Sequence, residues 1–258
     1  SSATIIKDAQ RHGTKFRPVC VSRSDWNCFI ESDNSIRLGL RVVRGMSSDK
    51  AKTIVSQRQR VPFESLEDFK QRSRLSKDEL RTLAEIGALN CFAAHRRDAM
   101  WRIEKTIHEN DLFSFPPCRQ NTIPGIHTGL RKSRNAPAAS NYSGNSPLMQ
   151  MNPLERLCAD YTGMQLTLGP HSMAALRPGL PDVWRAVDLP KAAHGTTVRI
   201  AGNVICRERP ATEKGFVFIT LEDETGMSNA IVAPPLFEKL RLVITQEMFL
   251  VIQGTIQN

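Results

Sequence analysis

The sequence predicts an α+β chain of several small units: a helical region holding two similar hairpins, a linker, and a run of strands forming an incomplete barrel. Three observations predict it. Helical periodicity broken by short glycine turns dominates residues 36–113. Alternation of apolar and polar residues takes over from residue 196. Between them the chain becomes rich in Pro, Gly, Ser, Asn and Ala and loses apolar periodicity.

Residues 1–35 begin with a helical pattern (Ile5, Ile6, Ala9) that runs into Gly13. Phe16 to Val21 then reads as a short strand, restricted by Pro18 to a sheet edge or a strand start. Residues 36–113 are predominantly helical and punctuated by Pro62 and Gly87. Residues 114–147, with Phe115-Pro116-Pro117 and Pro124-Gly125, form the linker. Residues 148–195 are a helical and irregular connector. A helix starts at Pro153 and carries Leu154, Leu157, Cys158 and Tyr161, followed by Pro178, Pro181 and Pro190.

Within the helical region, Leu38 to Ser47 reads as an apolar helix ending at Gly45, which can take the positive φ a tight turn needs. Ser47 or Ser48 then caps a second helix bearing Lys50 and Lys52. This is the pattern of a helix-hairpin-helix. Its turn, Gly45-Met46-Ser47, brings backbone N–H groups and a helix N-terminus to a phosphate, with Lys50 and Lys52 adding charge. Such contacts position a protein on DNA without reading sequence. Leu80 to Leu89, turning at Gly87 and followed by Arg96 and Arg97, is a second copy. The alternative for either is an ordinary helical hairpin with a glycine C-cap and a solvated basic face. Two copies in one basic chain favour DNA.

Residues 196–258 give strand, strand, strand, helix, strand: Thr197 to Cys206, Phe216 to Leu221, Asn229 to Val232, a helix from Pro235 to Leu242, and Met248 to Ile256. That is the order of an OB-fold short of its last strand. A charged turn between the first two strands holds Arg207, Arg209 and Lys214, placed to track a nucleic-acid backbone. Phe216 and Phe218 share one face of the second strand and are expected in the barrel core, with base stacking as the alternative. The barrel is expected to lack its closing strand, and the first residues read as a chain entered in mid-domain.

Composition supports a polyanionic partner. The 258 residues carry a formal net charge of +9 at a pI near 9.5, and phosphate binding is driven by Lys and Arg displacing condensed counterions. Six cysteines form no C-x-x-C pair, so reduced thiols are expected in place of a zinc site or disulfide framework. There is neither a signal-peptide pattern nor an apolar run of membrane-spanning length, and a cytoplasmic protein is expected.

Several segments taken in order resemble the carboxy-terminal third of bacterial error-prone C-family DNA polymerases, relatives of the polymerase III alpha subunit. They include Ser24-Asp25-Trp26, Ile36 to Arg41, Pro62 to Phe69, Leu83 to Leu89, Arg96 to Trp101, Leu168 to His171 and Gly254 to Asn258. The resemblance implies the tail of the fingers over 1–35, a tandem helix-hairpin-helix on primer-template DNA, and an OB-fold near single-stranded template. It also implies template-directed nucleotide transfer in damage-induced translesion synthesis, with Mg²⁺ held by the intact polymerase. No residue here matches the palm aspartates, so no catalytic residue, metal or cofactor is assigned to this stretch. Glu109 to Phe113 lies where the alpha subunits carry a sliding-clamp peptide, which makes Leu112 and Phe113 clamp anchors or, alternatively, packing residues of the preceding helix. The resemblance further implies an inactive Y-family-like polymerase and a RecA-like accessory protein as partners. The rival readings are a stand-alone nucleic-acid-binding module and a protein-interaction platform in DNA repair. A DNA ligase with the same modules is disfavoured by the missing cysteine quartet and nucleotidyl-accepting lysine motif.

Overall fold

The computed structural model describes residues 2–105, 146–210 and 215–257. Helix α1 (Ser2–Arg11) stops just before Gly13, which sits at φ +87. Only one side of it is covered, with Ile6 buried and Ile5 exposed. Three two-residue strands follow: β1 (Phe16–Arg17), β2 (Phe29–Ile30) and β3 (Ile36–Arg37). Their order is β1-β3-β2, with β1 parallel and β2 antiparallel to β3. The expected strand from Phe16 to Val21 is therefore cut to its first two residues. It lies at the edge, and Pro18, which has no N–H for the ladder, follows at once.

The apolar helix expected over Leu38 to Ser47 is corrected to a single 3-10 turn at Leu40–Val42. Residues 36–37 belong to β3, and Gly39 is extended at φ −83, ψ 162. A Cβ on Gly39 would lie 2.4 Å from the Trp26 carbonyl oxygen, so only glycine permits this approach. The N–H groups of Leu40 and Arg41 donate to the Asp25 and Trp26 carbonyls, which ties the extended Gly39 backbone to that segment.

Four helices complete this unit: α2 (Ser48–Arg60), α3 (Leu66–Ser73), α4 (Lys77–Glu85) and α5 (Arg96–Lys105). Ser47, Ser65 and Ser76 cap the first three, and Ser76 with Glu79 closes a reciprocal capping box. Asn152 and Glu155 make the same box for α6 (Pro153–Met164). Leu154 and Cys158 of this helix are exposed, and Asp160, Gly163 and Met164 are buried. The reason is Gly163: a Cβ there would lie 2.4 Å from Ile86 Cγ2, so α6 approaches the end of α4 closely along this side.

One hydrophobic core runs from Ile6, Val19 and Val21 through Ile54, Phe69 and Leu83 to Met164 and Leu166. Residues 1–35, the hairpin region and the first part of the connector share it, so packing draws no line at residue 35. After α7 (Ser172–Leu176) the connector changes allegiance, and Trp184 and Leu189 pack on a second core built by the strands.

That second unit holds β4 (Thr197–Glu208), β5 (Val217–Glu222), β6 (Met227–Val232), α8 (Pro234–Gln246) and β7 (Phe249–Thr255). The sheet is antiparallel in the order β6-β5-β4-β7. With α8 between the third and fourth strands, this is an incomplete OB-like barrel. β4 belongs to both halves of the curl, pairing with β7 over Thr197 to Asn203 and with β5 from Asn203 to Glu208. A bulge lies between Val204 and Cys206, and a Cβ on Gly202 would come within 2.8 Å of Leu221 Cβ. Bulge and glycine together let one long strand bend through both pairings.

The expectation that Phe216 and Phe218 lie in the barrel core is also corrected. Val217, Ile219 and Leu221 of β5 point inward and are buried, whereas Phe216 is 36% exposed and Phe218 shares its outward face. The strand keeps the expected two-residue period with the opposite phase.

The acidic run Glu222-Asp223-Glu224 joins the two units. Glu222 accepts from Arg11 of α1 at 3.0 Å. Arg177 reaches Asp223 and Glu224 at 3.1 and 2.8 Å. Asp223 also accepts the N–H groups of Ala186, Thr225 and Gly226.

Candidate nucleic-acid interface

The first hairpin presents an open turn. Gly45 has φ +79, and a Cβ placed on it would meet nothing within 4 Å. Met46 beside it is buried and fastens the turn to the core, while Ser47 is exposed and accepts the Lys50 N–H as N-cap of α2. The N-terminal N–H groups of α2 and its positive dipole end thus face solvent beside a glycine that allows close approach. Lys52 is exposed, and among the described residues no ion pair engages it. Arg44, which the sequence reading did not single out, is exposed next to Gly45 and equally without an ion pair among the described residues. Lys50 is placed differently: its Nζ lies 2.7 Å from Glu79 Oε1, tying α2 to α4. Burial works against the Glu79 carboxylate, yet the hydrogen bonds from Lys50 and Ser76 hold it below its usual range.

The second hairpin turns its charges inward. Gly87 has φ +81, but a Cβ on it would lie 3.0 Å from Arg96 Nε and 3.1 Å from Asn90 Nδ2, so its turn is covered. Arg96 donates to the Glu85 carbonyl at 3.0 Å and to Asp160 at 2.7 Å. Arg97 donates to Glu155 at 2.7 Å and to the Met149 carbonyl at 3.2 Å. Both arginines therefore hold α6 against the hairpin. The signal for this, acidic residues on α6, lies about sixty residues away in the sequence.

On the barrel, Arg207 donates to the Ile244 and Glu247 carbonyls and so caps the carboxy end of α8. Arg209 lies over the Phe237 ring at 5.0 Å and 4.0 Å from Glu238, with half its side chain exposed. Lys214, like Leu112 and Phe113, lies outside the described residues. The outer face of β5 and β6 carries Phe216, Phe218 and, paired directly across from Phe218, Ile231, which is 57% exposed. Such a partly exposed aromatic and apolar face is a surface on which flat rings can stack.

Among the described residues no three carboxylate, histidine or cysteine side chains come together to hold a metal ion. The most acidic run does not fit Mg²⁺, since Glu222, Asp223 and Glu224 all accept from arginines. Among the described residues no helix is long and apolar enough to cross a membrane.

The family model that matches the chain is the helix-hairpin-helix motif, over residues 13–99. The chain is 36% identical to the error-prone DNA polymerase of Alkalilimnicola ehrlichii, with 98% of this chain and 23% of that protein aligned. It is also 36% identical to that of Dechloromonas aromatica, over 100% of this chain and 23% of the relative. The corresponding protein of Pseudomonas aeruginosa is 34% identical over 98% of this chain and 23% of its own length. The chain thus spans less than a quarter of these relatives, and over that stretch it is homologous to error-prone DNA polymerases.

Proposed function

We propose that this chain is the DNA-holding part of an error-prone DNA polymerase acting in translesion synthesis. The first hairpin grips the sugar-phosphate backbone of primer-template duplex, and the outer face of the barrel meets the single-stranded template. The observation that carries the reading is the contrast between the two turns: Gly45 is open and flanked by Arg44 and Lys52, whereas Gly87 is covered by Arg96. A phosphate can approach the first and not the second. The second hairpin serves the fold by docking α6.

The intact polymerase performs the template-directed nucleotidyl transfer, with two Mg²⁺ ions held by carboxylates outside this stretch. This stretch alone is inactive as a polymerase. Leu112 and Phe113 are proposed as sliding-clamp anchors, and an inactive Y-family-like polymerase and a RecA-like protein as further partners in the bacterial cytoplasm. These assignments rest on the similarity to error-prone DNA polymerases.

The test is fluorescence anisotropy of the chain with labelled primer-template, single strand and blunt duplex across a salt series. Binding is expected to weaken steeply with salt and to be strongest at the junction. Arg44→Glu with Lys52→Glu should reduce the salt slope by about two, while Arg97→Ala leaves it unchanged. Undiminished affinity in the double variant would remove the first hairpin from the interface. No binding by folded native chain would favour a protein-interaction role, for which Phe216, Phe218 and Ile231 are also suited.

A further inference from the structure

Cys20 follows β1, and Cys91 lies in the turn between α4 and α5. The Val21 N–H donates to the Ala88 carbonyl at 3.1 Å, which brings the two segments side by side. The Ser22 hydroxyl, two residues on from Cys20, donates to Cys91 Sγ at 3.2 Å. Cys91 is exposed and Cys20 half-buried, so a small oxidant can reach the pair. Cys28 and Cys206 are placed otherwise, beside the Gly39 N–H and the Glu208 carboxylate.

We propose that Cys20 and Cys91 form a reversible oxidation site, a thiol pair that a peroxide converts into a disulfide between the two segments. The thiolate is the reacting form of cysteine. The hydrogen bond from Cys91 draws the Cys20 thiol down to about 6 against the effect of burial, helped by the positive field of Arg37 and Arg23. Cys91 is pushed the other way, chiefly by the same hydrogen bond, and keeps its proton. The Cys20 thiolate attacks one peroxide oxygen, the O–O bond breaks, and the leaving oxygen is protonated to water or an alcohol. Cys91 sulfur then attacks the Cys20 sulfenic acid, the S–O bond breaks, and the departing hydroxide takes the Cys91 proton and leaves as water. Two thiols lose two electrons and the peroxide gains them.

The link closes the chain from residue 20 to residue 91 around α2, α3 and α4. It restricts the unfolded ensemble of the helical unit, and a thiol reductant restores the open form.

The test is peptide mapping by mass spectrometry of the native chain, reduced and then treated with hydrogen peroxide. The expected product is an intramolecular Cys20–Cys91 peptide pair, lighter by two hydrogen atoms and released by dithiothreitol. Its urea midpoint should exceed that of the reduced chain. Cys91→Ser should leave Cys20 as a sulfenic acid captured by dimedone, and Cys28→Ser should not alter the native outcome. Accumulation of sulfinic or sulfonic acid at Cys20 in the native chain would overturn the proposal. So would a disulfide to any other cysteine, or none at all. Because these readings come from the native chain, they hold even if a serine variant fails to fold.

Discussion

Arg96 donates to the carbonyls of Glu85 and Arg156 and to the carboxylate of Asp160, whose side chain is only 8% exposed. Removing the guanidinium leaves Asp160 with the Thr167 hydroxyl as its side-chain hydrogen-bond partner among the described residues. A buried carboxylate stripped of its cation is strongly destabilising, so Arg96→Ala should cost about 3 kcal/mol in urea unfolding. Arg96→Lys should recover part of this, since an ammonium keeps the charge and loses the planar fork. Lys52→Ala should change stability by no more than about 0.5 kcal/mol. If the two alanine variants unfold alike, Arg96 is not the tie described. The same comparison shows what the sequence could say of the site. The turn Gly45-Met46-Ser47 and the charge of Lys52 are local facts and were legible. Whether Lys50, Arg96 or Arg207 is free depends on Glu79, Asp160 and the end of α8, partners fixed only by the tertiary fold.

At the scale of elements, α6 docks on the end of α4 through a glycine. On an exposed helix an alanine in place of glycine gains about 1 kcal/mol. At Gly163 the added methyl would lie 2.4 Å from Ile86 Cγ2, and overpacking of that kind costs about 1–3 kcal/mol. The packing term wins, so Gly163→Ala should lower the urea midpoint. In an Ile86→Ala background, where the obstacle is gone, the same change should become stabilising. A double-mutant cycle reads this sign reversal directly, and additive effects would mean that α6 is not seated on Ile86. Element boundaries were best legible where one pattern ruled unopposed: all four barrel strands and α8 were expected near their observed positions. The face of β5 was misjudged because the two phenylalanines outweighed the smaller Val217, Ile219 and Leu221, although the phenylalanine phase continues into the polar Thr220 and Glu222. The helix expected over Leu38 to Ser47 failed for another reason. Gly39 and the N–H groups of Leu40 and Arg41 are claimed by Trp26 and its neighbours, a contact that apolar periodicity does not encode.

At the scale of the whole molecule, the helical unit and the barrel meet around buried polar groups. Lys7 of α1 donates to the Gly169 carbonyl, Arg11 pairs with Glu222, and His171 Nε2 lies 3.9 Å from Glu222. His171 Nδ1 accepts the Met173 N–H at 3.1 Å as N-cap of α7, which requires that nitrogen to be unprotonated. Burial depresses the imidazole below its usual 6.5, more than the nearby Glu222, Asp223 and Glu224 raise it, and Lys7 adds to the depression. The unfolded chain therefore takes up a proton before the folded one does. The stability due to neutral His171 is complete above 6.5 and declines as pH falls from there toward the depressed folded value. Asp223, held below its usual range despite burial by its Thr225 and backbone hydrogen bonds, adds acid sensitivity only at lower pH. Asn is a good N-cap and does not titrate, so His171→Asn should preserve α7 and remove the upper part of this pH dependence. Thermal unfolding followed between about pH 7.5 and 5.5 reads both chains across the imidazole range. The native chain should lose stability over that interval while the variant stays nearly level. Parallel slopes would show that the junction tolerates a protonated His171, and that its hold rests on Arg11, Arg177 and the three carboxylates they engage.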